Sequence, residues 1–364
     1  GNNYAYLAAI YTKLGNRDKA ISLLVEAKKA DPKNTLIRIS LAENYSALNR
    51  FEDAFIELKV AFTDRDLSID TKINVIISLL ATPDDIKSLA AAEELAAITL
   101  RTHPDDAKAY AIYGDLLSQK QDYSGALKTY QDGLTLNNQL YALWEQVVRI
   151  EIIQGNFKQA VADGEKALSL FPNQVNLHLL TGIAYTRIPQ LEQAVTHLQT
   201  ALDLKPTDKN VLIQIYTTLG DSFNMLKRFA KSDQAYDKAL EIDPANSYVL
   251  NNYAYFLSER NTELDKAAKM SQYAIELEPN NASLEDTYAW ILFKKKNYAD
   301  ARLWIERAIQ NDKNNSATLF EHYGDILYHL NEKKQALAQW KKAKDAGENN
   351  KKLEIKIKGE RYVK

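Results

Sequence analysis

No cysteine occurs in the 364 residues, so thiol catalysis, disulfide stapling and thiolate metal sites are excluded. The same lack fits a reducing or an oxidising compartment equally well. No run of about 18 apolar residues is present, so no segment reads as a bilayer-spanning helix. An excess charge of one sign is missing too. With 46 Lys and Arg against 48 Asp and Glu, the formal net charge is −2, a poor balance for a general binder of nucleic acid or anionic membrane. The five histidines form no HExxH, and no glycine loop of the phosphate-cradling kind is found. What the chain does have is apolar content, at 46%, ample for a large core. A chain of this length ordinarily folds as two or three globular domains.

The prolines argue for a different organisation. Six of the eight are Pro32, Pro104, Pro172, Pro206, Pro244 and Pro279, at spacings of 72, 68, 34, 38 and 35. These are multiples of 34 with additions of four, about one helical turn, in two of them and of one in the last. Each follows a stretch rich in helix formers, where a residue without an amide donor stops a helix. Pro83 and Pro189 fall in turns between helices. A period of this size is the mark of a repeat array.

Within each period the side chains repeat as well. In "YLAAIYTKLGNRDKAISLLVEAKKADP", residues 6–32, Leu7, Ala8 and Tyr11 recur at helical spacing, Gly15 marks a turn, and Ala20, Leu24 and Ala27 form a second stripe. The same places return as Tyr113, Gly114, Leu117, Ala126, Tyr130 and Gly133, and as Tyr288, Ala289, Leu292, Ala301, Ile305 and Ala308. Small residues at fixed places let two antiparallel helices approach, and larger ones fill the holes beside them. On these residues the chain resembles the tetratricopeptide-repeat family over nearly its whole length. The resemblance implies an all-α fold, a right-handed α-α superhelix of about ten helix-turn-helix repeats. The expected repeats are 1–34, 35–68, 69–106, 107–140, 141–174, 175–208, 209–246, 247–281, 282–316 and 317–350, forming a single solenoid. The repeat at 69–106 is the least regular: "LLATPDD" interrupts it and Thr99 stands where alanine is usual. The repeat at 209–246 reads as having an extra turn in its first helix. Residues 351–364, with Leu353, Ile355 and Ile357 alternating, are expected to form a short C-terminal capping helix or a frayed basic tail.

In this family the first helix of each repeat lines the concave groove. Carrying those places across gives Gln214, Thr217, Asp221 and Asn224, then Tyr248, Asn251, Tyr255 and Ser258. Ser283, Asp286, Trp290 and Phe293 follow, and then Thr318, Glu321, Asp325 and Tyr328. Amide side chains can bond the donors and acceptors of an extended peptide, and aromatic faces give contact area at small entropic cost. The expected partner-binding set is Gln214, Asp221, Asn224, Tyr248, Asn251, Tyr255, Asp286, Trp290, Phe293, Glu321, Asp325 and Tyr328. Tyr253 and Leu257 take core places instead. The basic clamp with which some members of the family grip a terminal carboxylate is absent, because the matching places hold Ala5, Ala9 and Ser40. Asp221, Glu259, Asp286, Glu321 and Asp325 face only Lys294, so a neutral to basic extended segment suits this groove.

Residues 341–364 carry nine Lys or Arg and four Asp or Glu, leaving about −7 for the rest. They are a candidate electrostatic dock, or a segment that occupies the chain's own acidic groove. His322, Asp325 and His329 share one helix, yet surface residues explain them better than a metal site, and no cofactor is expected. RNA binding is disfavoured by an acid-leaning groove. The functional expectation is a non-enzymatic protein–protein interaction scaffold. A structural subunit acting through its ends or convex face is the alternative, and an unrecognised enzyme a distant third. The last hundred residues resemble terminal repeats of exported bacterial proteins. They point to the periplasm or cell envelope with a leader removed, the cytoplasm being the alternative.

Overall fold

A computed structural model describes residues 2–81, 86–359 and 361–363. The turn read around Pro83 and the acid pair at 84–85 lie outside these residues. All regular structure among the described residues is α-helical, and the chain divides into two compact units, Gly1–Ala184 and Tyr185–Lys364.

The first unit contains α1 (Asn2–Lys13), α2 (Arg17–Ala30), α3 (Thr35–Ala47), α4 (Phe51–Phe62), α5 (Ile69–Leu80), α6 (Ile86–Thr102), α7 (Ala107–Gln119), α8 (Tyr123–Leu136), α9 (Tyr141–Ile153), α10 (Phe157–Leu170) and most of α11 (Val175–Arg187). The second contains α12 (Leu191–Asp203), α13 (Lys209–Met225), α14 (Phe229–Ile242), α15 (Ser247–Glu259), α16 (Leu264–Leu277), α17 (Ala282–Lys294), α18 (Tyr298–Asn311), α19 (Ala317–His329), α20 (Lys333–Asp345) and α21 (Lys351–Gly359). Consecutive helices pair as hairpins, α1 with α2 through α9 with α10, and α13 with α14 through α19 with α20.

Local chemistry sets the ends. Asp106, Asp208, Asn246 and Asn281 cap first helices by accepting an amide of the first turn. Asp31, Asp243 and Glu278 end second helices, each donating its amide to a carbonyl four residues back, and a proline follows at once. Most of the described turns inside hairpins take a residue with left-handed φ. Gly15 and Gly155 suit it; Asn49, Asn261 and Asn331 tolerate it, while Lys227 and Lys296 adopt it against preference. α13 has 17 residues where its neighbour α15 has 13, one extra turn.

In the second unit one continuous core runs from Tyr236 to Ile326, through Tyr253, Leu257, Tyr288, Ile291 and Ile305. Here α13, α15, α17 and α19 touch their neighbours in the series directly, while each second helix packs mainly on the first helix of its own hairpin and also on the first helix that follows. The first helices therefore form one layer, and that layer carries the candidate site.

The first unit handles its irregular hairpin with two buried polar side chains. Lys72, fully buried, donates to the carbonyls of Phe62 and Asp64, 2.8 Å each, and lies 2.9 Å from His103 Nε2. It thus closes the end of α4, and burial lowers its pKa to about 8. Thr99, also fully buried, turns its hydroxyl onto the Leu95 carbonyl at 2.8 Å. Leu7, read as a core place, is 42% exposed on α1 beside Tyr6 and Ile10, with Leu14 just after the helix.

Candidate functional site

The small residue at the eighth place of a repeat faces a side chain sixteen residues later, and three hairpins make this into a lock. Gly114 meets Tyr130, Gly220 meets Tyr236 and Gly324 meets Trp340; a Cβ on any of these glycines would lie within 3 Å of the ring. The bare backbone lets the ring approach, and the next residue receives its polar atom. Tyr130 Oη donates to Asp115 Oδ1 at 2.7 Å, Tyr236 Oη to Asp221 Oδ1, and Trp340 Nε1 to Asp325 Oδ1 at 2.9 Å. Two acids expected to line a groove, Asp221 and Asp325, thus bind the second helix of their own hairpin. Burial lifts Asp221 to about 6, against the pull of Tyr236 and Arg187. The signal was in the sequence as Gly-Asp followed by an aromatic, "YGDLL…Y", "LGDSF…Y" and "YGDIL…W".

The α17–α19 part of the layer is filled. Trp290 and Phe293 are 7% and 5% exposed, so their rings are packed rather than open. Trp290 stacks on Phe293 (centroids 4.7 Å) and on His322 (4.1 Å), its Nε1 donates to Glu259 at 2.8 Å, and Lys294 sits over the ring. The acids have partners within the chain. Lys294 lies 2.9 Å from Glu259, and His322 Nδ1 donates to Asp286 at 2.8 Å. Lys356 of α21 reaches Glu321 and Asp325, 2.7 Å each. Burial opposes a charge on His322, but Asp286, with Asp325 and Glu321 behind it, holds its pKa above the ordinary value. Tyr328 is half-buried, with Trp340 5.8 Å away and Lys333 over its ring. His322, Asp325 and His329 have separate partners, His329 stacking on Tyr298 at 4.8 Å. No group of three or more metal-ligating side chains occurs among the described residues.

The α13–α15 part is open. Gln214 is exposed and Tyr248 is 62% exposed. Tyr255 is half-buried, its hydroxyl pKa pushed up to about 12 by burial and by the charges of Glu259 and Asp286. Asn251 is 8% exposed and its Oδ1 has no hydrogen-bond partner; Asn224 Oδ1 is likewise enclosed and unpaired. Buried acceptors without donors are uncommon and costly. Thr217 and Ser258 offer a ligand little, since their hydroxyls bond Ile213 O and Tyr255 O of their own helices.

Four tetratricopeptide-repeat family models match the chain, over residues 5–36, 88–140, 213–246 and 235–269. Among curated relatives, the BBSome complex member BBS4 of Bos taurus is 21% identical over 269 residues, 74% of this chain and 44% of that protein. The formate-dependent nitrite reductase complex subunit NrfG of Escherichia coli O157:H7 is 30% identical over 132 residues, 35% of this chain and 64% of that one. The chain thus spans less than two thirds of either relative. A tetratricopeptide-repeat protein from Parabacteroides merdae superposes with a TM-score of 0.58 at 21% identity, covering 70% of this chain and 98% of its own, which speaks for the fold alone. Repeated helical hairpins, small residues at fixed places and these matches agree: the chain is an all-α tetratricopeptide-repeat protein.

Proposed function

We propose that the chain is a non-catalytic interaction scaffold that holds an extended, neutral to basic protein segment on the first-helix layer of α13 and α15. The observation that carries this reading is the pair of unpaired amide oxygens, Asn224 Oδ1 and Asn251 Oδ1, in a layer that also presents Gln214 and Tyr248. The terminal torsion of an asparagine is broad, so either amide can turn to accept a backbone N–H from an incoming strand. Tyr248 supplies an amphipathic ring for its side chains. With Glu259, Asp286, Glu321 and Asp325 paired inside the chain, polar pairing and ring contact, more than net charge, select the ligand.

The test compares wild type with a Gln214→Ala, Tyr248→Ala, Asn251→Ala variant in pull-downs from soluble and envelope fractions, with circular dichroism to check the helices. A partner retained by wild type, lost by the variant, and protecting α13 and α15 amides from hydrogen exchange supports the reading. A partner held equally by both removes it. A second reading, an assembly subunit, is favoured by the exposed apolar side chains Tyr6, Leu7 and Ile10 of α1 and Leu14 just after it. Both curated relatives are named as members of complexes. Under that reading Leu7→Glu with Ile10→Glu, and not the α13–α15 variant, abolishes partner capture. The envelope location expected from the resemblance of the last hundred residues predicts recovery of the native protein from the envelope fraction.

A further inference from the structure

The segment after α20 does more than cover an apolar face. Leu353, 1% exposed, packs with Trp340 and Ala343 and would suffice as a cover. Yet Lys356 of the same helix is 3% exposed, with its ammonium 2.7 Å from both Glu321 and Asp325. It also lies 6.0 Å from the Trp340 ring centroid and 5.5 Å from that of Tyr362. Burying an ammonium is expensive unless its pairing is complete, and nothing in covering a hydrophobic surface calls for one. Asn350 begins α21 by accepting the Leu353 amide and also donates to Glu321 Oε2. After α21 the chain turns, Arg361 N donating to Lys356 O, and sets Tyr362 against His329 (4.8 Å) and Phe293 (5.9 Å). Phe293 belongs to α17, so the contact passes beyond the last hairpin to the one before it. A lysine in an acidic slot and a ring six residues on, seated across two hairpins, is how a ligand is read.

We propose that the α17–α19 layer is a second binding site, specific for a protein segment bearing a lysine and, six residues later, an aromatic ring, and that α21 and residues 361–363 occupy it in cis until a partner displaces them. The acidic slot is Glu321 with Asp325; the ring seat is Phe293 with His329. This site is separate from the α13–α15 layer and stands or falls without it. A tethered occupant acts at millimolar effective concentration, so an incoming segment meets competition that vanishes once the occupant is weakened.

The experiment titrates a labelled peptide of residues 350–364 into the full chain and into a Lys356→Ala, Tyr362→Ala variant that keeps Leu353. The peptide should bind the variant at least about tenfold more tightly than wild type, and a scrambled peptide should bind neither. Failure to bind a variant whose helices are intact by circular dichroism overturns the proposal and leaves the segment a cover. Should the variant lose its helices, hydrogen exchange on the wild-type chain decides. Amides of α21 exchanging faster than those of α17 and α19 support a displaceable occupant; exchange only together with α19 overturns it. A wild-type dimer dissociated by the peptide would assign the site to a second copy and also overturn the cis reading.

Discussion

Hairpins α7–α8 and α19–α20 are built on one plan and end with different neighbours. In both a glycine admits a ring from the second helix and the following aspartate takes its hydrogen, Asp115 from Tyr130 and Asp325 from Trp340. Asp115 has no further partner described, and burial raises its pKa against the hydroxyl's pull. Asp325 meets the Lys356 ammonium with its other oxygen. The lesson is that an internal lock leaves half a carboxylate unspent. Whether that half faces nothing or holds another segment depends on residues far along the chain, not on the hairpin.

The comparison breaks hardest at the glycines. Gly114→Val and Gly324→Val should each cost about 3 kcal/mol or more, since the new side chain meets an immobile buried ring; urea denaturation with two probes measures it. A Gly114→Ala, Tyr130→Leu double variant should recover much of the loss of Gly114→Ala alone. Ala8 with Leu24, and Ala42 with Leu58, already share a core at the same spacing. Next come the acids. Asp325→Ala strands both an indole N–H and a buried ammonium and should cost about 3–5 kcal/mol. Asp115→Ala strands one hydroxyl and should cost about 1–3 kcal/mol. Equal losses would mean that Lys356 contributes nothing to the difference.

The third lock sharpens the comparison through pH. Asp221 has a folded pKa of about 6 against an ordinary 3.8. A raised carboxylate contributes stability that is full below the unfolded value and lost as pH climbs through the folded one. The cost of Asp221→Asn should therefore shrink between pH 4 and pH 7, and a constant cost contradicts the assignment. The smallest effect belongs to the open layer: Tyr248→Ala should leave stability within about 0.5 kcal/mol of wild type, while weakening any partner held by α13 and α15.

Much of the fold was legible because its cause is local. A helix period, a proline after each pair, and short side chains where helices cross are all written within about thirty residues. The layer's lining was legible only as to face. The family resemblance placed Trp290, Phe293, Asp221 and Asp325 on the groove side of first helices, but it says nothing of depth. Depth is decided by what arrives from elsewhere: Tyr236 and Trp340 fifteen residues on, His322 thirty-six after Asp286, Lys356 thirty-one after Asp325. The acidic character expected of the groove is largely cancelled by those arrivals. Tyr248 and Gln214 stay exposed.

The sixteen-residue pairing also bears on how such a chain can change over generations. Gly with Trp and Ala with Leu each set a small side of the first helix against a large one of the second helix of the same hairpin. Each hairpin therefore inherits its own key and keyhole together. Duplication or recombination joined in the loops between hairpins carries matched pairs and leaves the core sound. A crossover at the turn inside a hairpin mixes them, setting tryptophan against alanine or leucine against glycine, and yields a collision or a void. Exchange among copies of the repeat should be tolerated at one set of loops and purged at the other.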